Sequence, residues 1–191
     1  MGHSQADKAA SHDAILEVAA KRFRELGIDG IGVADVMREA GLTVGGFYKH
    51  FESREELVAE ALAAAFKDLD VWEDNADDLA ASIRGYLSTQ HRDNPGSGCA
   101  MGALLGDVGR GSEAIRDIYT KRITRNLEFF QERMADQQPA ERRAKALAIL
   151  CSMLGAIGLS RAVNNPVLSN EILSTVARHL IAQLPKDTNR G

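Results

Sequence analysis

Apolar residues recur at three- and four-residue spacing through most of the chain, and that period predicts helices. Ile15, Ala19, Phe23 and Leu26 form one buried face of a helix from about Ser11 to Leu26, with Lys21, Arg22 and Glu25 on the other face and Gly27 as its terminator. Val36, Met37 and Ala40 mark a short helix over 33–40 that stops at Gly41. Gly32 stands at its N-cap place, which sacrifices only about a few tenths of a kcal/mol relative to Ser or Thr. After the tight turn at Gly41 and Leu42, Thr43 is placed to cap a third helix from Val44 to about His50. Ser53 caps the next, with Glu55 and Glu56 in the first turn, where the helix dipole favours acids. Leu57, Val58, Ala61, Leu62, Ala65, Phe66 and Leu69 continue its apolar stripe as far as Trp72.

The pattern stays helical beyond Asp77, where Leu79, Ile83, Tyr86 and Leu87 share a side until "HRDNPGSG" interrupts. A glycine-rich helix around "CAMGALLGDVGR", a long helix over 112–136, a helix from Pro139 to about Val163 and a last one over 169–184 complete the expectation. The four prolines all lie at position 95 or later, beside loop-like residues, and no β-branched or aromatic alternation reads as a strand. The fold class expected is all-α.

Composition narrows the function. A chain of 191 residues with 45% apolar content can bury a real core, and its formal net charge of −4 means that any surface for a polyanion must be a local arrangement. Cys99 and Cys151 are far apart and form no Cys/His cluster, so neither a disulfide scaffold, a metal site nor a haem attachment is expected, and a reducing cytoplasm fits. No run approaches the roughly 18 uninterrupted apolar residues of a membrane span. The N-terminus has no cationic segment followed by an apolar one, and a cytoplasmic protein with no membrane partner is expected.

A three-helix unit with a tight turn between its second and third helices has the spacing of a helix-turn-helix, whose third helix is the one presented to a DNA major groove. The segment "AILEVAAKRFRELGIDGIGVADVMREAGLTVGGFYKHFESREELVAEAL", Ala14 to Leu62, resembles the DNA-binding domain of the TetR family of bacterial regulators, with Ala19, Phe23, Gly27, Ala40, Gly41, Thr43, Gly45, Tyr48, Phe51 and Leu57 in register. The resemblance implies a helix-turn-helix domain over 1–52 and a larger ligand-binding and dimerisation domain over 53–191, with the helix 53–74 as connector. It further implies a homodimer that binds a palindromic operator in double-stranded DNA and answers to a small-molecule effector, most often as a repressor. "SGCAMGALLGDVGR" looks like a segment found in a subset of the family. One departure is Gly32, where the family usually has a capping Thr or Ser.

Gly45 and Gly46 weaken a short helix, since glycine costs about 1 kcal/mol relative to alanine there, unless close backbone approach matters. Against DNA it does, because a helix N-terminus without a Cβ can approach the groove and its N–H groups favour a phosphate. Val44 is suited to a thymine methyl and Lys49 to guanine or a phosphate. The resemblance assigns phosphate contacts to Thr43, Tyr48 and His50, and gives Arg54 the task that a lysine has in relatives. Few side chains are left for base readout, so a large share of specificity is expected from operator shape. Residues 1–50 carry seven acids against six lysines and arginines, which implies few neutralised phosphates.

Leu147, Leu150, Leu154 and Ile157 form a seam beside Ala144, Cys151, Gly155 and Gly158, and with Ile172, Val176 and Leu180 of the last helix it suits either a four-helix dimer interface or the monomer's own core. Trp72, Tyr86, Met101, Tyr119, Phe130 and Met153, with Phe129 and Met134, supply the large apolar surfaces of an effector pocket or of an ordinary core. His91, Arg122 and Arg161 are candidates for holding a polar group there, or for ion pairing. No cofactor, metal site or catalytic residues are expected. "GSGCAMG" follows no strand, "HRD" lacks its kinase companions, and no Ser/His/Asp or paired-carboxylate arrangement reads from spacing. A helical interaction module with a degenerate DNA-binding unit is the alternative from another class.

Overall fold

The computed structural model describes residues 5–74, 76, 78–134 and 138–184, with the backbone alone at Asp68, Val71, Trp72 and Asp74. Among them are nine α-helices, three 3-10 segments and no strand. By packing, the chain divides into two units, residues 5–71 with 95–120 and residues 72–94 with 121–184, whereas the motif ends the DNA-binding part at residue 52.

In the first unit, α1 (Gln5–Leu26) begins six residues before the expected Ser11. Ser11 is not a cap, because its hydroxyl donates back to the carbonyl of Asp7 at 2.8 Å and so sits inside a continuing helix. Gly27 ends α1 with φ of +82°, and a single 3-10 turn (Ile28–Gly30) leads to α2 (Val33–Glu39). Gly32 occupies the N-cap of α2 and forms no side-chain cap. The end of α2 is a Schellman turn: Leu42 N–H donates to Met37 O at 2.9 Å and Gly41 N–H to Arg38 O at 3.0 Å, with Gly41 at φ of +74°. A side chain at Gly41 would be strained there, so this glycine fixes the turn.

The third helix of the motif is a 3-10 segment (Val44–Lys49), not the α-helix expected over 44–50. Two adjacent glycines leave too little intrinsic preference to sustain α-helical turns in so short a piece. Thr43 holds the N-cap position through its backbone, its carbonyl accepting from Gly46 N–H at 2.9 Å, but its hydroxyl makes no cap bond. α3 (Arg54–Asp74) opens as expected, with Ser53 Oγ accepting from Glu56 N–H at 3.1 Å, while the Glu56 carboxylate reaches back to the amide of Glu52. Ile15, Ala19, Phe23, Val36, Met37, Phe47, Phe51 and Leu57 are buried in this unit.

A 3-10 turn (Pro95–Ser97), α6 (Ala100–Arg110) and the first part of α7 (Glu113–Glu132) belong to the same unit. α1 packs on the turn and on α6, and Arg24 Nε donates to Gly96 O at 2.8 Å. A Cβ at Gly96 would stand 2.3 Å from Glu25 Oε1, so glycine lets the turn close on α1.

The second unit holds α4 (Leu79–Tyr86), α5 (Thr89–Asp93), the rest of α7, α8 (Pro139–Ala162) and α9 (Pro166–Ala182). Asp78 caps α4, accepting from Ala80 and Ala81 N–H at 2.8 and 3.1 Å. The segment expected to be a polar break contains α5, because Ser88 caps a further turn and Asp93 closes it. α9 starts three residues before the expected Ser169, since Asn165 caps it and Pro166 supplies its first residue. α8 packs chiefly on α9, and Ser169 Oγ donates to Ser160 O at 2.6 Å between them. By length and composition α8 is apolar enough to cross a bilayer, which the reading of uninterrupted runs missed. Its first turns carry Glu141, Arg142, Arg143 and Lys145, and its inner face is buried against this unit.

Candidate nucleic-acid interface

Phe47 and Phe51 anchor the recognition segment. Both are buried, their rings stand 5.5 Å apart, and burying each contributes about 1.5–3 kcal/mol. With these two rings fixed inward, the intervening Tyr48 and Lys49 are exposed, as are Thr43, Val44 and Gly45 before them. Tyr48 is 79% exposed, although its ring meets Phe47 edge-on at 5.3 Å. A phenol on a surface, held by its neighbour and offering its hydroxyl outward, suits a phosphate.

Among the described residues, nothing requires Gly45 or Gly46. Neither has a positive φ, a Cβ at Gly45 would meet no atom within 4 Å, and one at Gly46 would meet only Thr43 Oγ1 at 3.6 Å and Met37 Cε at 3.8 Å. Contacts within the described residues therefore give no account of the two glycines.

His50 closes the segment half-buried, with Nδ1 inside and without a hydrogen-bond partner. Its ring is 6.0 Å from that of His12, which stacks on Phe51 at 4.6 Å and meets Glu60 Oε2 through Nε2 at 2.8 Å. Burial lowers the pKa of His50, and the nearby charges of His12, Lys8 and Lys49 act in the same direction. His12 was missed as a member of this site, although its spacing from Ile15 and Ala19 places it on the buried face of α1.

Arg54 is engaged within the protomer. Its guanidinium donates to Ile28 O and lies 3.3 Å from Asp29 Oδ1, so it ties the start of α3 to the turn after α1. Other arginines are similarly engaged: Arg22 with Glu25 and Glu39 at 2.7 and 2.6 Å, and Arg38 with Asp35. The positive charge of the segment itself is carried by Lys49.

The other predicted residues fall in both units. Met101 and Tyr119 meet within the first, where the Tyr119 hydroxyl donates to Met101 O at 2.8 Å and burial pushes its pKa up. Phe130 and Met153 are buried in the second, and Tyr86 is half-buried beside His91, with rings 4.5 Å apart. Trp72 lies outside the described side chains. His91 Nδ1–H donates to Tyr86 O at 2.7 Å, Arg161 to the carbonyls of Arg92 and His91, and Arg122 to Glu73.

The seam on α8 is corrected by one helical step. Ile157 is 0% exposed, and Leu150, Leu154 and Leu180 are likewise buried in the protomer's own core, so these side chains are not available to a partner. Leu147 (41% exposed), Ala148, Cys151, Gly155 and Leu159 (58% exposed) form the outward stripe, and Ile172 and Val176 are half-buried on α9. α8 is apolar on both faces, and periodicity alone does not say which face turns inward.

Residues 15–61 match the family model of bacterial regulatory proteins, tetR family. Over 93% of its length and 96% of the other's, the chain is 23% identical to the HTH-type transcriptional repressor DhaR of Mycobacterium sp. (strain GP1). It is 37% identical to the HTH-type transcriptional repressor KstR2 of Mycolicibacterium smegmatis over 54 residues, 28% of this chain and 26% of that one. A TetR transcriptional regulator from Chloroflexus aurantiacus has the same fold, with a TM-score of 0.76 at 21% identity over 94% of this chain and 98% of that chain. An exposed glycine-led recognition segment, anchored by two phenylalanines behind a Schellman turn, defines a helix-turn-helix DNA-binding transcriptional regulator. Residues 15–61 are a DNA-binding domain of the TetR type, by their match to that family's model.

Proposed function

We propose that the protein is a cytoplasmic repressor that binds a palindromic operator as a homodimer and is released from it by a small apolar or aromatic effector. The observation that carries this reading is the recognition segment itself, whose glycines serve no internal need and whose Tyr48 and Lys49 face outward. DhaR and KstR2 carry repressor in their names, which supports the sign of regulation.

The partner surface is the outward stripe of α8, Leu147 to Leu159, flanked by Ile172 and Val176 of α9. Its small residues, Ala148, Cys151 and Gly155, suit close approach of a second copy. Dimerisation sets two recognition segments to adjacent major grooves, roughly 34–36 Å apart. An effector that binds the arrangement with the wrong spacing more tightly shifts the population off DNA, and equal binding shifts nothing. Thr43, Tyr48 and His50 serve the backbone, while Val44 and Lys49 read base edges. Arg54 positions the segment rather than touching DNA.

Selection of duplexes from a random pool by the purified protein, followed by sequencing, tests the reading. An enriched inverted repeat supports it. Absence of any enrichment at low salt would overturn it in favour of a helical interaction module.

A further inference from the structure

Glu73 and Arg122 are each 4% exposed, and with the buried Asn126 they set a polar cluster between α3 and α7. Such a pair is weak grounds for stability, since apolar replacements of the same volume often serve as well or better. Its geometry is that of a receptor. Glu73 Oε1 accepts from an Arg122 Nη and from Asn126 Nδ2 at 2.5 Å, and Arg122 Nε donates to Asn126 Oδ1 at 2.9 Å. That last bond orients the amide so that its NH2 faces the carboxylate. Arg125, itself exposed, brings its Nε to 3.5 Å from Glu73 Oε2, so the cluster reaches from the interior to the surface. Arg133 lies 3.6 Å over the buried Phe129 ring and donates to the Glu73 carbonyl at 3.1 Å, which ties α7 to the carboxylate-holding turn.

We infer that Arg122, Asn126 and Arg125 form a carboxylate receptor, filled in this state by Glu73, and that the effector is an amphipathic carboxylate that takes Glu73's place. This rests on the effector-responsive reading above and names the chemistry of its ligand. Two guanidinium groups and an amide directed at one carboxylate recognise a free one by the same bonds. The tethered Glu73 has the advantage of high effective concentration, so a small acid does not displace it. An acid with an apolar tail gains the additional burial that tips the exchange. Displacement frees the last turn of α3, and α3 is the helix that starts directly after the recognition segment.

Calorimetric titration of the full-length protein with sodium octanoate and with octanamide tests this without DNA. Octanoate should bind at least about tenfold tighter than octanamide, and Glu73→Ala should tighten octanoate binding at least a further tenfold by removing the internal competitor. Glu73→Gln, which keeps the shape and removes the charge, replaces that variant if it does not fold. Glu73→Ala combined with Arg122→Met should lose the preference for the acid. Equal binding of acid and amide by wild type and by the Glu73 variant, or an octanoate affinity unaffected by loss of Glu73, would overturn the receptor. A labelled selected duplex reports the other half: octanoate that binds with the expected preference but leaves the duplex bound overturns its role as effector. A protein that selects no duplex sinks the regulatory reading, while the calorimetric preference still decides the receptor.

Discussion

The side chain of Arg24 donates from Nε to the carbonyl oxygen of Gly96 at 2.8 Å, joining α1 to a turn 72 residues further along the chain. Gly96→Ala would place a methyl group 2.3 Å from Glu25 Oε1 and 3.0 Å from Glu25 Cγ, pushing Glu25 away from Arg22, to which it is bonded at 2.7 Å. Glu25 can swing aside, so the penalty stays near the low end for overpacking, about 1–2 kcal/mol. Chemical denaturation of the variant against wild type measures it, and an unchanged midpoint would show that the turn does not close on α1 in solution.

Gly46→Ala separates folding from DNA binding. The added Cβ meets only ordinary contacts at 3.6 and 3.8 Å. Stability should therefore hold or rise, by up to about 1 kcal/mol, while affinity for the selected duplex falls at least about tenfold. Anisotropy titrations beside thermal melts check both halves.

Tyr48→Phe tests the hydroxyl alone. With the ring 79% exposed and its contact to Phe47 retained, stability should change by less than about 0.5 kcal/mol. Binding should weaken by a similar factor for operator and non-operator duplexes, because the contact is to the backbone. A loss confined to the operator would reassign Tyr48 to base reading.

Acid weakens the fold through His50. Its pKa is lowered in the native state, first by burial and then by His12, Lys8 and Lys49, so the unfolded chain binds its proton more readily. Stability is full above the ordinary imidazole value of about 6.5, falls as pH drops through it, and stops falling below the native pKa. His91, also lowered by burial, acts in the same sense. Denaturation at pH 7.5 and 5.5 should show the loss, and His50→Gln and His91→Gln should each reduce it.

The exposed Cys151 tests the proposed dimer. Its place in the outward stripe of α8, beside Leu147 and Gly155, predicts that a short bis-maleimide links two copies and that Leu147→Glu abolishes both the link and the dimer in sedimentation. A monomer of unaltered wild type would remove the interface from α8.

The motif was legible because its parts are local. Gly27, Gly41 and the spacing of Ile15, Ala19 and Phe23 place the helices within a few residues of their positions in the structure. Starts are less legible than ends: Ser11 resembles a cap in sequence, but the chain before it continues α1, and Asn165 with Pro166 opens α9 three residues before the expected Ser169. The placement of Arg54 on Ile28 and Asp29 depends on a fold-back between sequence-distant segments, which no spacing rule carries. The same holds for Glu73 with Arg122, 49 residues apart. On α8, two apolar stripes one step apart are equally periodic, and only the packing of α9, α5 and α4 decides that Ile157 goes in and Leu159 stays out.

The open space around Gly45 bears on how such a regulator changes over generations. Its backbone conformation is available to any residue, and none of the described residues stands within 4 Å of the absent side chain, so they exercise no veto over what is written there. Selection at that site is left to the DNA. A duplicated copy can sample new operators at this position without first acquiring compensating changes in its core, and the divergence of recognition from stability becomes a one-step event.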